Sequence, residues 1–100
     1  MRSEERTRLE EEIAALVADV PGVAYLSPRL VHRLAAGGRH SGGVRLRPTA
    51  PATVEVWIAV RPGHRAATTA RTVRERVTAV LAGRPGLDGA RVQVVVSALA

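Results

Sequence analysis

"VEVWIAV", residues 54–60, decides how the rest of the chain is read. Val54, Val56, Ile58 and Val60 occupy every second position, and Glu55, Trp57 and Ala59 fill the others. A period of two sends successive side chains to opposite faces, so the stretch predicts a β-strand with one wholly apolar face. The β-branched residues on that face suit a half-buried, pleated surface.

Working outward, "VRLR" at 44–47 alternates in the same way, with Val44 and Leu46 on one face and Arg45 and Arg47 on the other. Residues 48–53 between the two strands hold Pro48 and Pro51, a turn composition, so the strands are expected to pair as an antiparallel hairpin. On the far side, "RPGH" at 61–64 reads as a loop. Residues 65–82 carry Ala66, Ala70, Val73, Val77, Val80 and Leu81 at helical spacing, with Gly83 and Pro85 as stop signals. "RVQVVVS" at 91–97 alternates again. A strand, a long helix and another strand imply a crossover, so 91–97 should lie parallel to 54–60.

The N-terminal part predicts a helix over 3–20. Leu9, Ile13, Leu16, Val17 and Val20 form one stripe, Ser3 can cap it, and Glu4 and Glu5 suit the positive end of its dipole. Pro21 stops the helix, Gly22 permits a turn, and "VAYL" at 23–26 is the strand that follows. "RLVHRLAA" at 29–36 suggests two helical turns, and "GGRHSGG" at 37–43 a flexible loop. The sum is one α+β domain over residues 1–100. It is a two-layer fold of order α-β-α(short)-β-β-α-β, with the helices on one face of a mixed sheet.

The uncovered sheet face would then carry Arg45, Arg47, Glu55, Trp57, Arg91, Gln93 and Val95. Trp57 has two readings: a loop or the N-terminal segment covers it, or it anchors an interface among arginines. On the second reading Trp57, Arg45, Arg47 and Arg91 form a candidate interaction surface, and Trp57→Ala leaves the fold intact while weakening assembly.

Composition narrows the function classes. Apolar residues make up 46% of the chain and aromatics 2%, so a packed core must come from aliphatic side chains. Without cysteine there is no disulfide framework, thiolate metal site or thiol nucleophile. No apolar run is long enough to span a membrane, and the acidic opening "MRSEERTRLEEE" is unlike a secretory signal. His32, His40 and His64 lack zinc-ligand spacing. The adjacent His40 and Ser41 sit among glycines that would not preorganise a base and a nucleophile. No catalytic residue, metal ligand or cofactor-binding residue is expected, and the chain is not expected to be an enzyme.

The formal charge of +6 is unevenly spread: residues 1–20 carry −3 and residues 21–100 carry +9, and every cationic residue is arginine. Guanidinium forks suit phosphate, which keeps a small basic RNA-binding accessory domain of KH type open as an alternative. Arginine, alanine, glycine and proline are also the residues a GC-rich genome favours. "GRPG" at 83–86 and "GLDG" at 86–89 link a helix to a strand rather than two helices, and the aromatic platform of an RNA-recognition sheet is missing.

Over nearly its full length the chain resembles the alkaline shock protein 23 family, the Gls-type envelope stress response proteins of Gram-positive bacteria. The residues that carry this are "IAALVADVPGVAYLSP", "GVRLRP", "VEVWIAV", "AATTARTVRERVTAVLAG" and "RVQVVVSAL", with the helix-"VPGV" corner the most specific. Two departures stand out: "RPG" follows the long strand where a tyrosine-glycine is common, and "SALA" ends the chain where an acidic residue is usual. The resemblance implies a non-enzymatic, self-associating cytoplasmic protein of cell-envelope homeostasis. It implies a homo-oligomer that a membrane-anchoring partner gathers at the inner face of the membrane. It names no catalytic residue.

Overall fold

The computed structural model describes residues 1–26 and 43–99. The elements are α1 (Ser3–Ala18), β1 (Val23–Leu26), β2 (Val44–Arg47), β3 (Thr53–Val60), α2 (Ala66–Ala82) and β4 (Arg91–Leu99). They form a two-layer α+β domain, as the periodicities predict. The proposed short helix at 29–36 lies outside the described residues.

β3 is the axis of a mixed sheet. β4 runs parallel to it along one edge, with Thr53 opposite Arg91 and Ile58 opposite Val96. β1 and β2 both run antiparallel to it along the other edge, one after the other. Leu26 stands opposite Ile58 and Val44 opposite Val56, so β1 and β2 continue a single line from which the chain departs after Leu26 and to which it returns at Gly43. The Trp57 N–H donates to the Gly43 carbonyl at 2.9 Å, at the point of return. Gly43 there has φ 87°, a left-handed conformation that suits glycine.

The core lies between the sheet and the helices. Leu9, Ile13 and Val17 of α1 and Val73, Val77 and Leu81 of α2 pack on Val54, Val56, Ile58 and Val60. Val92, Val94 and Val96 of β4 border the same cluster. Strict alternation along β3 and β4 therefore places the helices on the predicted face.

Several local expectations change. α1 ends at Ala18 rather than Val20, and Arg2 occupies the N-cap position without a side-chain cap, so Ser3 is the first helical residue rather than the cap. Leu16 is half-buried. On α2 the buried stripe is Thr69, Val73, Val77 and Leu81, while Ala66, Ala70 and Val80 are only half-buried. Gly22 is not there for a left-handed turn, because its φ is not positive. It is there for close approach: a Cβ at Gly22 would overlap Thr69 Oγ1 and sit 2.9 Å from Thr69 Cγ2. The corner is also clasped by Arg61, whose N–H donates to the Gly22 carbonyl at 2.8 Å and whose Nε donates to the Val23 carbonyl at 3.1 Å.

The outer edge of β2 is closed from α1. The Leu46 N–H donates to Glu10 Oε2 at 2.8 Å in a partly buried setting. Hydrogen bonds to a charged acceptor contribute about 1.5–3 kcal/mol, and more is lost when a buried donor is orphaned. Glu12 of α1 pairs with Arg84 after α2, both half-exposed, a contact that contributes little on its own.

Gly22→Ala is expected to lower stability by about 1–3 kcal/mol through overpacking against Thr69. Combining it with Thr69→Ala should restore part of that loss, since both clashing atoms are removed. Urea unfolding of the three variants measures the coupling, and a Gly22→Ala protein as stable as the parent would refute the close-approach account. Glu10→Ala is expected to cost about 1.5–3 kcal/mol and Glu10→Gln much less, because the amide oxygen still accepts from Leu46.

Candidate interaction surface

The sheet register assembles the face turned away from the helices in rows across the four strands. Arg47, Thr53 and Arg91 form the first row, and Arg45, Glu55 and Gln93 the second. Trp57 and Val95 form the third, and Tyr25 and Ala59 the last. The face is therefore polarised along the strands, with three guanidinium groups at the Thr53 end and the aromatic and aliphatic groups at the other.

Arg45, Arg47 and Arg91 are exposed, and among the described residues none of them forms a salt bridge. Glu55, half-buried between Arg45 and Gln93, is the single carboxylate in these rows. Val95 is 39% exposed and Tyr25 52%. Strand alternation brings the three predicted arginines together as expected, because Arg45 and Arg47 flank one β2 position and Arg91 faces Arg47 across Thr53.

Trp57 is the correction. It points away from the helix-facing cluster, as alternation requires, but it is only 4% exposed. The indole is therefore part of the folded interior of the chain and is not available as an exposed anchor. Alternation assigns a side chain to a face; it carries no information about what lies over that face. The surface that remains is the arginine cluster with Val95 and Tyr25.

The rest of the described surface offers little that resembles a reaction centre. A shallow groove of about 360 Å³ runs between α1 and the turn after α2, and the Glu12–Arg84 pair crosses it. Among the described residues no three His, Asp or Glu side chains converge. His64 is exposed in the loop after β3, while His32 and the His40–Ser41 pair lie outside the described residues. Among the described residues no helix is long and apolar enough to cross a membrane.

Comparison with protein-family models, with curated proteins and with solved structures gives no match to this chain.

Burial of Trp57 reverses the effect expected of its removal. Trp57→Ala should destabilise the domain by about 3–5 kcal/mol, the usual range for truncating a buried large aromatic. Thermal unfolding followed by circular dichroism measures it, and a variant within 0.5 kcal/mol of the parent, roughly the range of surface substitutions, would return Trp57 to the surface.

Proposed function

We propose that this chain is a non-enzymatic binding domain of envelope stress response and cell-envelope homeostasis. It acts by associating with itself and by docking a membrane-anchored partner at the cytoplasmic face of the membrane. The envelope setting rests on the sequence resemblance. The binding mode rests on one structural observation: exposed Arg45, Arg47 and Arg91, which form no salt bridge among the described residues, share a sheet face with exposed Val95 and Tyr25. A guanidinium cluster beside apolar groups suits a protein surface bearing carboxylates, where arginine provides both charge and flat contact area.

The competing reading is a small basic RNA-binding module, favoured by the +9 carried by residues 21–100. The distribution of groups argues against it. Single-strand binding sites interleave cations with aromatic platforms on which bases stack. Here Trp57 is buried, and Tyr25 lies opposite Ala59 while the arginine row lies at Thr53. At about 3.3 Å per residue Tyr25 lies roughly 20 Å along the strand from Arg47 and Arg91 and roughly 13 Å from Arg45.

The test pairs sedimentation of the full chain at low and high salt with titration of single-stranded RNA, for the parent and for the Arg45→Glu, Arg47→Glu, Arg91→Glu triple variant. The expected result is concentration-dependent mass that persists at high salt. RNA binding should be weak, with a salt slope no steeper than about −2, as three phosphate contacts at about 0.7 each would give. A chain that stays monomeric throughout overturns the self-association reading, and tight RNA binding abolished in the triple variant would put the alternative in its place.

A further inference from the structure

The two edges of the sheet are treated differently. On one side β1 and β2 are four residues each, and Glu10 occupies an outward amide of β2. On the other, β4 spans nine residues, Arg91–Leu99, and among the described residues no strand pairs with its outer edge. Between Arg91 and Leu99 it has no charge and no proline. Soluble proteins usually guard such an edge with lysine, proline, bulges or a covering segment. Among the described residues β4 has one such device, at its C-terminal end, where the register with β3 shifts between Ile58 and Ala59 and Ser97 Oγ donates to the Ile58 carbonyl.

The direction of each amide follows from the parallel ladder. The Arg91 N–H donates to the Ala52 carbonyl, so Arg91 directs its backbone groups toward β3. Alternation then turns the N–H and C=O of Val92, Val94 and Val96 outward. Those three residues are the unguarded segment, and they end just before the bulge.

We propose that this chain forms a two-fold dimer by antiparallel pairing of β4 with β4 of a second copy, with Val94 at the symmetry axis. The inference deepens the self-association reading and rests on it. This register is the one in which every outward residue is used. Val94 faces Val94 of the second copy and Val92 faces its Val96, each pair exchanging N–H···O=C bonds. On the helix side, valine meets valine and extends the core across the interface. On the open side, Gln93 meets Val95, and Arg91 meets Ser97. Charge selects the orientation. A parallel arrangement would set Arg91 beside Arg91, whereas the antiparallel one holds the two about 20 Å apart at ~3.3 Å per residue.

A second copy is favoured over a peptide strand because the segment is complementary to itself about one residue. The pairing is also closed: it consumes both unguarded edges and leaves only the β1–β2 edges exposed, so growth stops at two. The axis stands perpendicular to the sheet, so both arginine clusters face the same way. The dimer then presents two copies of the docking surface to one flat partner, which raises avidity without any new contact.

Hydrogen exchange by NMR on the full chain, at low and high concentration, tests this together with sedimentation of Val94→Pro. The Val94 N–H makes no bond to β3, so proline there removes an edge donor without breaking the internal ladder. In the dilute chain, Val92, Val94 and Val96 should exchange fast and Gln93 and Val95 slowly. At a concentration giving about 90% dimer, the outward amides should slow about tenfold by mass action, and Val94→Pro should stay monomeric. Salt should strengthen the dimer, because it screens repulsion between two chains of charge +6. If the chain associates while these amides exchange at one rate and Val94→Pro still assembles, the edge pairing is wrong and self-association uses another surface. If the chain never associates, both readings fall. Slowed exchange produced only by an added extended peptide would give the edge to a different occupant and overturn the dimer.

Discussion

The contact between Gly22 and Thr69 sets the corner after α1 directly against α2. Gly22 follows α1 and precedes β1, while Thr69 sits in the first turns of α2. The missing Cβ lets the helix lie directly on the corner. Arg61, just beyond β3, then clasps the same corner with two hydrogen bonds. Four elements thus meet at one point. The buried Thr69 hydroxyl explains why the "VPGV" corner is glycine at its third position even though its backbone is of an ordinary kind.

From that corner the core extends along β3. Its helix-facing residues are fully enclosed between two helices, and the strand is flanked on both sides by others. Close packing of β-branched residues in such a layer leaves little room for volume change. Most of the core lies on the helix side of the sheet, and Trp57 and Ala59 add buried groups at one end of the other side. The arginine rows on that other side can change in charge without disturbing the core, which lets a binding surface vary independently of the fold.

Much of this was legible in the sequence. The alternation of 44–47, 54–60 and 91–97 assigned each strand its faces, and the strand–helix–strand order required the parallel partner. Proximity of Arg45, Arg47 and Arg91 followed from the same alternation. Other features were not legible, for identifiable reasons. Thr69 was overlooked because a hydrophobic stripe is sought among apolar residues, and its neighbour across the interface is a glycine with no side chain to signal the contact. Burial of Trp57 depends on what lies over a face rather than on which face the residue occupies. The use of Glu10 as an acceptor for Leu46 joins residues 36 positions apart, a pairing no local pattern encodes. The placement of β1 and β2 on one line along the same edge of β3 was likewise invisible, because each four-residue strand has only its own short alternation to show.

That shared line has a consequence for how one edge of β3 is held. Leu26 and Val44 stand opposite positions only two residues apart on β3, so two short strands divide a single edge between them. Each is registered by its own pairing with β3, so a substitution that loosens one of the two pairings leaves the register of the other in place.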